Sequence, residues 1–339
     1  MAENQGRPKA VTLEEVGRLA GVNPRTVADA LKGRGRVAPS TRERVLCIAR
    51  ELNYVPNAAA RALATGRTGT VAVLSGPLNE LFYANTVHLL EPHLTEGGLE
   101  MMLLHTRREV KDLVQATQMS LVDGVIMIDV NDLAKEFLRL GDNSFRPRVF
   151  IGTSSHDSVD HVTLDVRPAV EEVLQLMLHA GRRRVAYVAN DRDEFVLAEV
   201  RFRAYVTTME KAGRAPEVID VNTKQRSEER IEAFKTYIAA NGCPDALLCQ
   251  NDETAIYAYR AIVSSGRHIP DDALLCGCDG LPYMEFFEPP LSTIALPMEE
   301  ACATAARFLQ QRMAAPNIAV QQETFHGRLV VRKSLLADL

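Results

Sequence analysis

Several residue sets in this 339-residue chain have types and spacings that could do chemistry. Cys276 and Cys278 share a face if their stretch is a strand, and with Cys249 they would offer thiolates to a metal or a redox couple. No paired Cys-x-x-Cys accompanies them, and buried thiols are ordinary core residues, so no metal is expected. Ser154, Ser155, His156 and Asp157 include the residue types of a hydrolytic triad. Triad members meet in space rather than in sequence, however. The eight histidines show no His-Glu-x-x-His spacing. Gly33-Arg34-Gly35 lacks the third glycine and the preceding strand of a dinucleotide loop. No catalytic residue and no cofactor is therefore expected. Arg25 and Asp29 offer a different chemistry. A guanidinium can bond guanine O6 and N7 in bidentate fashion, and a carboxylate can accept from cytosine N4.

The elements that would position Arg25 and Asp29 begin with a capping box, Thr12-Leu13-Glu14-Glu15, with Val11 and Val16 placed for a hydrophobic staple. Leu13, Val16, Leu19 and Ala20 then fall on one helical face, and Gly21 stops the helix. Asn23 caps a second helix with Pro24 at its first position, where a missing amide proton does no harm. Val27, Ala30 and Leu31 form its inner stripe, which leaves Pro24, Arg25, Ala28 and Asp29 outward. A basic loop, 32–36, leads to a second box, Ser40-Thr41-Arg42-Glu43, opening a third helix with Val45, Ile48, Ala49 and Leu52 inside. Two helices joined by a tight glycine turn and braced by a third make a helix-turn-helix unit, whose second helix can enter a major groove.

The charge distribution points the same way. The net charge of −5 hides a division: residues 1–67 hold twelve Lys and Arg against six Asp and Glu, or +6, which leaves −11 for 68–339. A basic head on an acidic body implies that the head meets a polyanion and the body does not. The composition, 46% hydrophobic and 24% charged, is that of a folded chain. No apolar run reaches the ~18 residues of a membrane span. The polar first ten residues do not resemble a secretory signal, so the six cysteines are expected as reduced thiols.

The stretch Val11-Thr12-Leu13-Glu14-Glu15-Val16, Ala20-Gly21-Val22-Asn23, Thr26-Val27 and Leu31, followed by Thr41-Arg42-Glu43-Arg44-Val45 and Glu51-Leu52-Asn53-Tyr54-Val55-Pro56-Asn57, resembles the headpiece of the LacI family of repressors. Ala60-Arg61-Ala62-Leu63-Ala64 resembles that family's hinge helix. Asn57 is expected as its cap and Gly66 as its close, yet two turns are marginal in water. The hinge is therefore expected to form only when paired with its copy on DNA. The resemblance implies that Leu63 wedges into the minor groove and kinks the duplex. It gives as DNA-facing residues Thr12, Asn23, Pro24, Arg25, Thr26, Ala28, Asp29, Arg36, Tyr54, Asn57, Ala60, Arg61 and Leu63. Asp29 stands where many members have Arg, and Lys32 where many have Asn, so an altered operator is expected.

From Thr70 onward, short apolar runs alternate with helix-length segments. Strands are expected at 71–75, 101–104, 124–128, 149–151, 162–164, 185–189, 218–221, 246–249, 274–278 and 292–295, a parallel α/β pattern too long for one compact sheet. Asn79-Glu80-Leu81-Phe82-Tyr83, Asp123-Gly124-Val125-Ile126, the 179–186 element, Asn251-Asp252-Glu253-Thr254-Ala255, Gly277-Cys278-Asp279-Gly280 and the 289–294 segment each resemble family motifs. The resemblance then covers residues 11 to about 332. The implied fold is an all-α helix-turn-helix headpiece plus an α/β periplasmic-binding-protein-like core of two parallel-sheet lobes. Its divisions are a headpiece at 1–56, a hinge and linker at 57–69, and a core at 70–339. The N-lobe takes approximately 70–165 and 295–321, and the C-lobe 166–294 and 322–339, with chain crossings near Asp165, Ile294 and Gln321.

Open α/β sheets bind ligands at the carboxyl ends of their strands. The motifs carry Asn79 and Phe82 there from one lobe and Arg201, Asn251 and Asp279 from the other, a set suited to hydroxyl groups, with Arg201 also able to clamp a carboxylate. Leu296 replaces the family's common Gln and Gly152 a frequent Asp, which removes two hydroxyl partners. The resemblance implies a cytoplasmic, nucleoid-associated transcriptional regulator, a repressor on a palindromic operator. It would act as a homodimer, with the 82–94 helix in much of the contact, and be switched by a small-molecule effector such as a sugar or sugar acid. After Lys333-Ser334-Leu335-Leu336 no apolar heptad tail of the kind that family tetramers use is expected, so a dimer is expected. The alternative is a solute-binding or sugar-metabolising protein with an incidental N-terminal domain.

Overall fold

A computed structural model describes residues 11–33, 35–55, 62, 66–106, 109–118, 121–129, 146–153, 158–189, 199–221 and 226–336. Outside them lie Arg34, Asn57, Ala60, Arg61, Leu63 and the rest of the expected hinge helix except Ala62, together with Ser154 to Asp157. The chain divides into two compact units, Met1–Thr68 and Gly69–Leu339.

In the first unit, α1 (Leu13–Ala20) starts where the Glu15 amide donates to Thr12 Oγ1 at 3.3 Å and ends at Gly21, whose φ of 63° is left-handed. The return bond from Glu15 that would complete the capping box is not made among the described residues. Leu19, expected inside, is 48% exposed. It lies about 100° round the helix from Ala20, and Gly17 takes the buried arc instead, packed so closely that an added Cβ would sit 2.7 Å from the Val22 carbonyl oxygen. In α2 (Pro24–Leu31) Asn23 is the cap and Pro24 the first residue. The third helix, α3 (Pro39–Glu51), has Ala38 at its cap position and no side-chain cap bond. The Ser40–Glu43 box therefore does not open it. Pro39, with φ preset and no amide proton to satisfy, starts the helix two residues earlier than the box would. Val16, Ala20, Val27, Ala30, Val45 and Ala49 form the small core.

The second unit holds two six-stranded sheets. The N-lobe sheet runs in the order β11-β5-β4-β3-β1-β2 and is parallel throughout: β1 (Thr70–Ser75), β2 (Glu100–His105), β3 (Gly124–Ile128), β4 (Arg148–Gly152), β5 (Asp160–Asp165) and β11 (Gln322–His326). Both its faces are covered. Val71 and Val73 pack under α4 (Leu81–Glu96) and α10 (Met298–Ala314), while Ala72 and Leu74 pack against α5 (Val110–Gln118). Burial on both faces is why these strands read as continuous apolar runs.

The C-lobe sheet has the order β12-β10-β9-β8-β6-β7. It comprises β6 (Val185–Ala189), β7 (Glu217–Asp220), β8 (Ala246–Cys249), β9 (Leu274–Asp279), β10 (Ser292–Ala295) and an antiparallel edge, β12 (Arg328–Val330). Helices α6 (Arg167–His179) and α7 (Val200–Lys211) cover one face, and α8 (Ser227–Asn241) and α9 (Asp252–Ser264) the other.

Two strands, β11 and β12, were not among the ten expected. Both sit at sheet edges, and β11 (Gln-Glu-Thr-Phe-His) alternates exposed and half-buried positions, so no apolar run marks it. They also move the third lobe crossing. The chain passes from β5 to α6 after Asp165 and from β10 to α10 after Ala295, but it returns to the C-lobe at Gly327, not at Gln321. Segment 322–326 therefore belongs to the N-lobe. The three crossings lie side by side: a Cβ on Gly327 would be 3.0 Å from Ile294, 3.4 Å from Val166 and 3.5 Å from Leu296. Gln321 instead helps to hold Asp160, donating from its amide at 2.8 Å and from Nε2 at 3.1 Å, beside two Arg312 bonds of 2.9 and 2.7 Å. Burial would push the Asp160 carboxyl up, but these bonds bring it below its ordinary range.

Candidate functional site

Each unit carries a candidate site. In the head, burying Val27 and Ala30 turns the opposite side of α2 outward. Asn23, Pro24 and Arg25 are exposed, and Ala28 and Asp29 half-buried. The Thr26 amide and hydroxyl both donate to Asn23 Oδ1, at 2.8 and 3.0 Å, so these two side chains brace each other at the helix start. Thr12 is tied into its own cap. Tyr54 is half-buried against the head core, its amide bonded to the Ala49 carbonyl at 2.8 Å, and burial raises its hydroxyl pKa. Asp29 leans on the basic loop: a Cβ at Gly35, whose φ is 76°, would lie 3.3 Å from its carboxylate. Arg36 is exposed in that loop. Arg18, Arg25, Lys32, Arg36, Arg44 and Arg50 make no ion pair among the described residues.

In the core, the candidate residues gather where the strands end. Asp279 closes β9, Gln250 and Asn251 follow β8, and Arg201 lies in the first turn of α7. Arg201 Nε donates to Glu199 Oε1 at 2.7 Å, and its Nη1 donates to the Gln250 carbonyl at 2.8 Å and stands 3.7 Å from Asp279 Oδ1. Glu199 caps the same helix, accepting from the Arg201 amide at 3.1 Å. Asp279 has a φ of 126°, a region costly to a residue with a side chain. Burial, together with the neighbouring Asp252, Asp129 and Glu199 carboxylates, holds its pKa well up against the pull of Arg201.

Asn251 has a second occupation. Its Oδ1 accepts from the Thr254 amide at 2.8 Å and the Thr254 hydroxyl at 2.6 Å as the cap of α9, which leaves its amide nitrogen to offer a ligand. The next residue, Asp252, is fully buried and accepts from Thr293 Oγ1 at 2.6 Å and the Leu281 amide at 2.7 Å. These bonds lock α9 to β10 and to the loop after Asp279. Burial pushes the Asp252 pKa up to about 6 even so.

On the N-lobe side, Asn79 is exposed in the turn before α4 and Phe82 is half-buried, edge-on to Tyr83 with ring centroids 5.4 Å apart. The group that reaches toward the C-lobe carboxylates is Asp129, just past β3. Its charge bears on Glu199 and Asp279, and it accepts from the Tyr83 hydroxyl at 3.2 Å. Tyr83 lies flat over Gly76, where an added Cβ would be 2.5 Å from the ring. Sequence reasoning did not single out Glu199, Asp129 or Tyr83 for this site. Asp129 at φ 49° and Glu199 at a cap position carry no local pattern that marks a site.

The candidates set aside earlier have structural places. Cys249, Cys276 and Cys278 are buried, and burial raises all three thiols. Among the described residues no group of three or more His, Cys, Asp or Glu residues is placed to hold a metal, and no helix is long and apolar enough to cross a membrane. Arg184, in the basic 182–184 run, is bonded twice to Glu217 at 2.7 Å at the opposite ends of the C-lobe strands.

Comparison with known proteins agrees with both units. Residues 12–57 match the bacterial regulatory proteins of the lacI family, and residues 174–335 match the periplasmic binding protein-like domain. The regulator CelR of Thermobifida fusca is 29% identical over 98% of this chain and 99% of its own. The repressor PurR of Photobacterium profundum is 26% identical over 96% and 98%. A solved Lac repressor dimer bound to operator shares the fold, with a TM-score of 0.81 at 22% identity over 97% of this chain and 100% of that one. A CelR–cellobiose complex gives a TM-score of 0.66 at 26% identity over 97% and 100%. With a LacI headpiece, a periplasmic-binding-protein-like core and regulators of that kind matching along almost its whole length, the chain belongs to the LacI family of bacterial regulatory proteins.

Proposed function

We propose that this protein is a sequence-specific transcriptional repressor that binds a palindromic operator as a homodimer and is switched by a small molecule held between its core lobes. The observation that carries the reading is the outward face of α2, where Arg25 is exposed and makes no ion pair among the described residues, on a capped helix joined to α1 by a glycine turn. Arg25 reads guanine, and Asp29 accepts from cytosine where it clears the loop. Thr12, Asn23, Pro24, Thr26, Ala28, Arg36 and Tyr54 contact backbone or groove. Asn57, Ala60 and Arg61 carry the contact into the hinge, and Leu63 kinks the central step. Two-fold protein symmetry mirrors operator symmetry, and the N-lobe surface that includes α4 supplies much of the dimer contact. In the core, Arg201, Asn251 and Asp279, with Asn79 and Phe82 opposite, hold the effector.

The Lac repressor structure is of a dimer on operator DNA, and the CelR structure holds cellobiose. Both support the assignment by analogy. The protein acts by binding rather than catalysis, in the cytoplasm at the nucleoid. A ligand shifts the DNA-binding equilibrium only so far as it binds one core conformation better than the other. Mobility shift with the full-length chain tests the reading: Leu63→Ala should weaken specific binding far more than nonspecific binding. Equal loss on both duplexes contradicts the wedge, and no shift at low salt on any palindromic duplex contradicts the repressor.

A further inference from the structure

The candidate binding residues set one guanidinium among three acidic side chains. Arg201 is engaged by Glu199 at 2.7 Å and lies 3.7 Å from Asp279, while Asp129 adds negative potential at both acids from the other lobe. Bidentate capture of an anion uses one of two edges of an arginine, Nε with Nη2 or Nη1 with Nη2. Here Nε is spent on Glu199 and Nη1 on the Gln250 carbonyl. An incoming carboxylate or phosphate would meet an arginine with one donor of each edge already engaged and with Glu199 as its partner. A hydroxyl or ammonium group would meet acceptors.

A second observation lies beneath the same pair. The Tyr187 hydroxyl is fully buried and has no hydrogen-bond partner among the described residues. It is close enough to Glu199 and Arg201 for both charges to act on it. A buried hydroxyl without a partner is destabilising, and a small polar ligand group or one bridging molecule at the Glu199–Arg201 pair would satisfy it.

We propose that Glu199 sets the charge class of the ligand: by occupying Arg201 it restricts the site to polyhydroxylated molecules without negative charge, neutral sugars or amino sugars, and rejects sugar acids and sugar phosphates. This rests on the reading of the interlobe residues as the effector site. Glu199 is then a specificity-determining residue, and the carboxylate clamp that Arg201 alone would provide is closed by the chain itself.

The test is calorimetric titration of the full-length protein with matched probes: glucose, glucosamine, gluconate and glucose 6-phosphate, and cellobiose with cellobionate. Wild type should bind no acid or phosphate more tightly than its neutral counterpart. Glu199→Gln keeps a carbonyl to cap α7 and frees the guanidinium. It should gain about tenfold or more in affinity for gluconate, cellobionate or glucose 6-phosphate. The double variant with Arg201→Gln should lose that gain. Asp279→Asn, a residue type tolerant of positive φ, should give a smaller gain in the same direction. Tighter anion than neutral binding by wild type overturns the proposal, as does the absence of any anion gain in both single variants or a gain that survives in the double variant. Operator release measured in parallel separates the two claims. A neutral sugar that binds without altering DNA affinity counts against the switch, whereas an acid preferred by wild type counts against Glu199.

Discussion

Arg25 in the head is exposed and makes no ion pair among the described residues, whereas Arg201 in the core is bonded to Glu199 and Gln250 and faces Asp279. The contrast extends beyond these two. Arg312 gives two bonds to buried Asp160, and Arg184 gives two to Glu217. The core resolves its charges internally, since a buried charge without a partner is costly. The head leaves Arg18, Arg25, Lys32, Arg36, Arg44 and Arg50 in water, where holding them costs little and a polyanion can take them by releasing its counterions. The same residue type is thus a fold component in one unit and a binding surface in the other. Substitutions should divide accordingly.

The largest effect is expected at Arg312. Arg312→Ala leaves Asp160, whose side chain is 1% exposed, without its cation, and should cost about 3–5 kcal/mol of core stability in urea unfolding. A cost below about 1 kcal/mol would mean that core pairs are as dispensable as surface pairs, and the contrast would fail. Arg25→Ala should do the reverse. It should leave the melting temperature of the full chain unchanged and remove about 1–3 kcal/mol of specific operator binding, with relaxed preference at one base position, read by fluorescence anisotropy. Destabilisation with unaltered sequence preference would place Arg25 with the core arginines.

Asp252 gives a smaller, pH-dependent effect. The folded carboxyl keeps its proton up to about 6, while the unfolded one loses it near 3.8. Between these values the folded chain binds the extra proton, so this residue makes stability fall as pH rises through the window. In Asp252→Asn, the slope of stability between pH 4 and 6 should lose up to about 1.4 kcal/mol per pH unit of that fall, whatever the change in absolute stability. An unchanged slope would contradict it. The smallest effect is expected at Leu19, 48% exposed in α1: Leu19→Ser should change stability by less than about 0.5 kcal/mol. A loss of several times that would put Leu19 in the head core after all.

The same contrast explains how much was legible in the sequence. The head's turns are written in polar residues whose local roles are nearly obligatory: Asn23 before Pro24, and Gly21 at positive φ, are where they were expected. The capping boxes differ: only the Thr12 half of the first is made among the described residues, and the second lies inside α3. A Ser or Thr three residues before Glu also occurs inside a first turn, and only Pro39 reveals where α3 starts. In the core, strands buried on both faces announce themselves as apolar runs, whereas edge strand β11, with Glu323 and Thr324 beside Phe325, does not. At the site, Arg201 and Asp279 were legible because motifs carry them. Asp129 acquires its meaning only when the fold brings it near Glu199 and Asp279, and Glu199, two residues before Arg201, reads in sequence only as a residue ahead of a helix.

The central claim is that the head recognises a two-fold DNA site under control of the core. Selection of duplexes from a random pool by the full-length protein, with and without the sugar that stabilises it, tests this most directly. The account predicts enrichment of a palindrome whose half-sites change when Arg25 is replaced, and loss of that enrichment or its strengthening when the sugar is present. A pool that stays at its input composition under both conditions would contradict it.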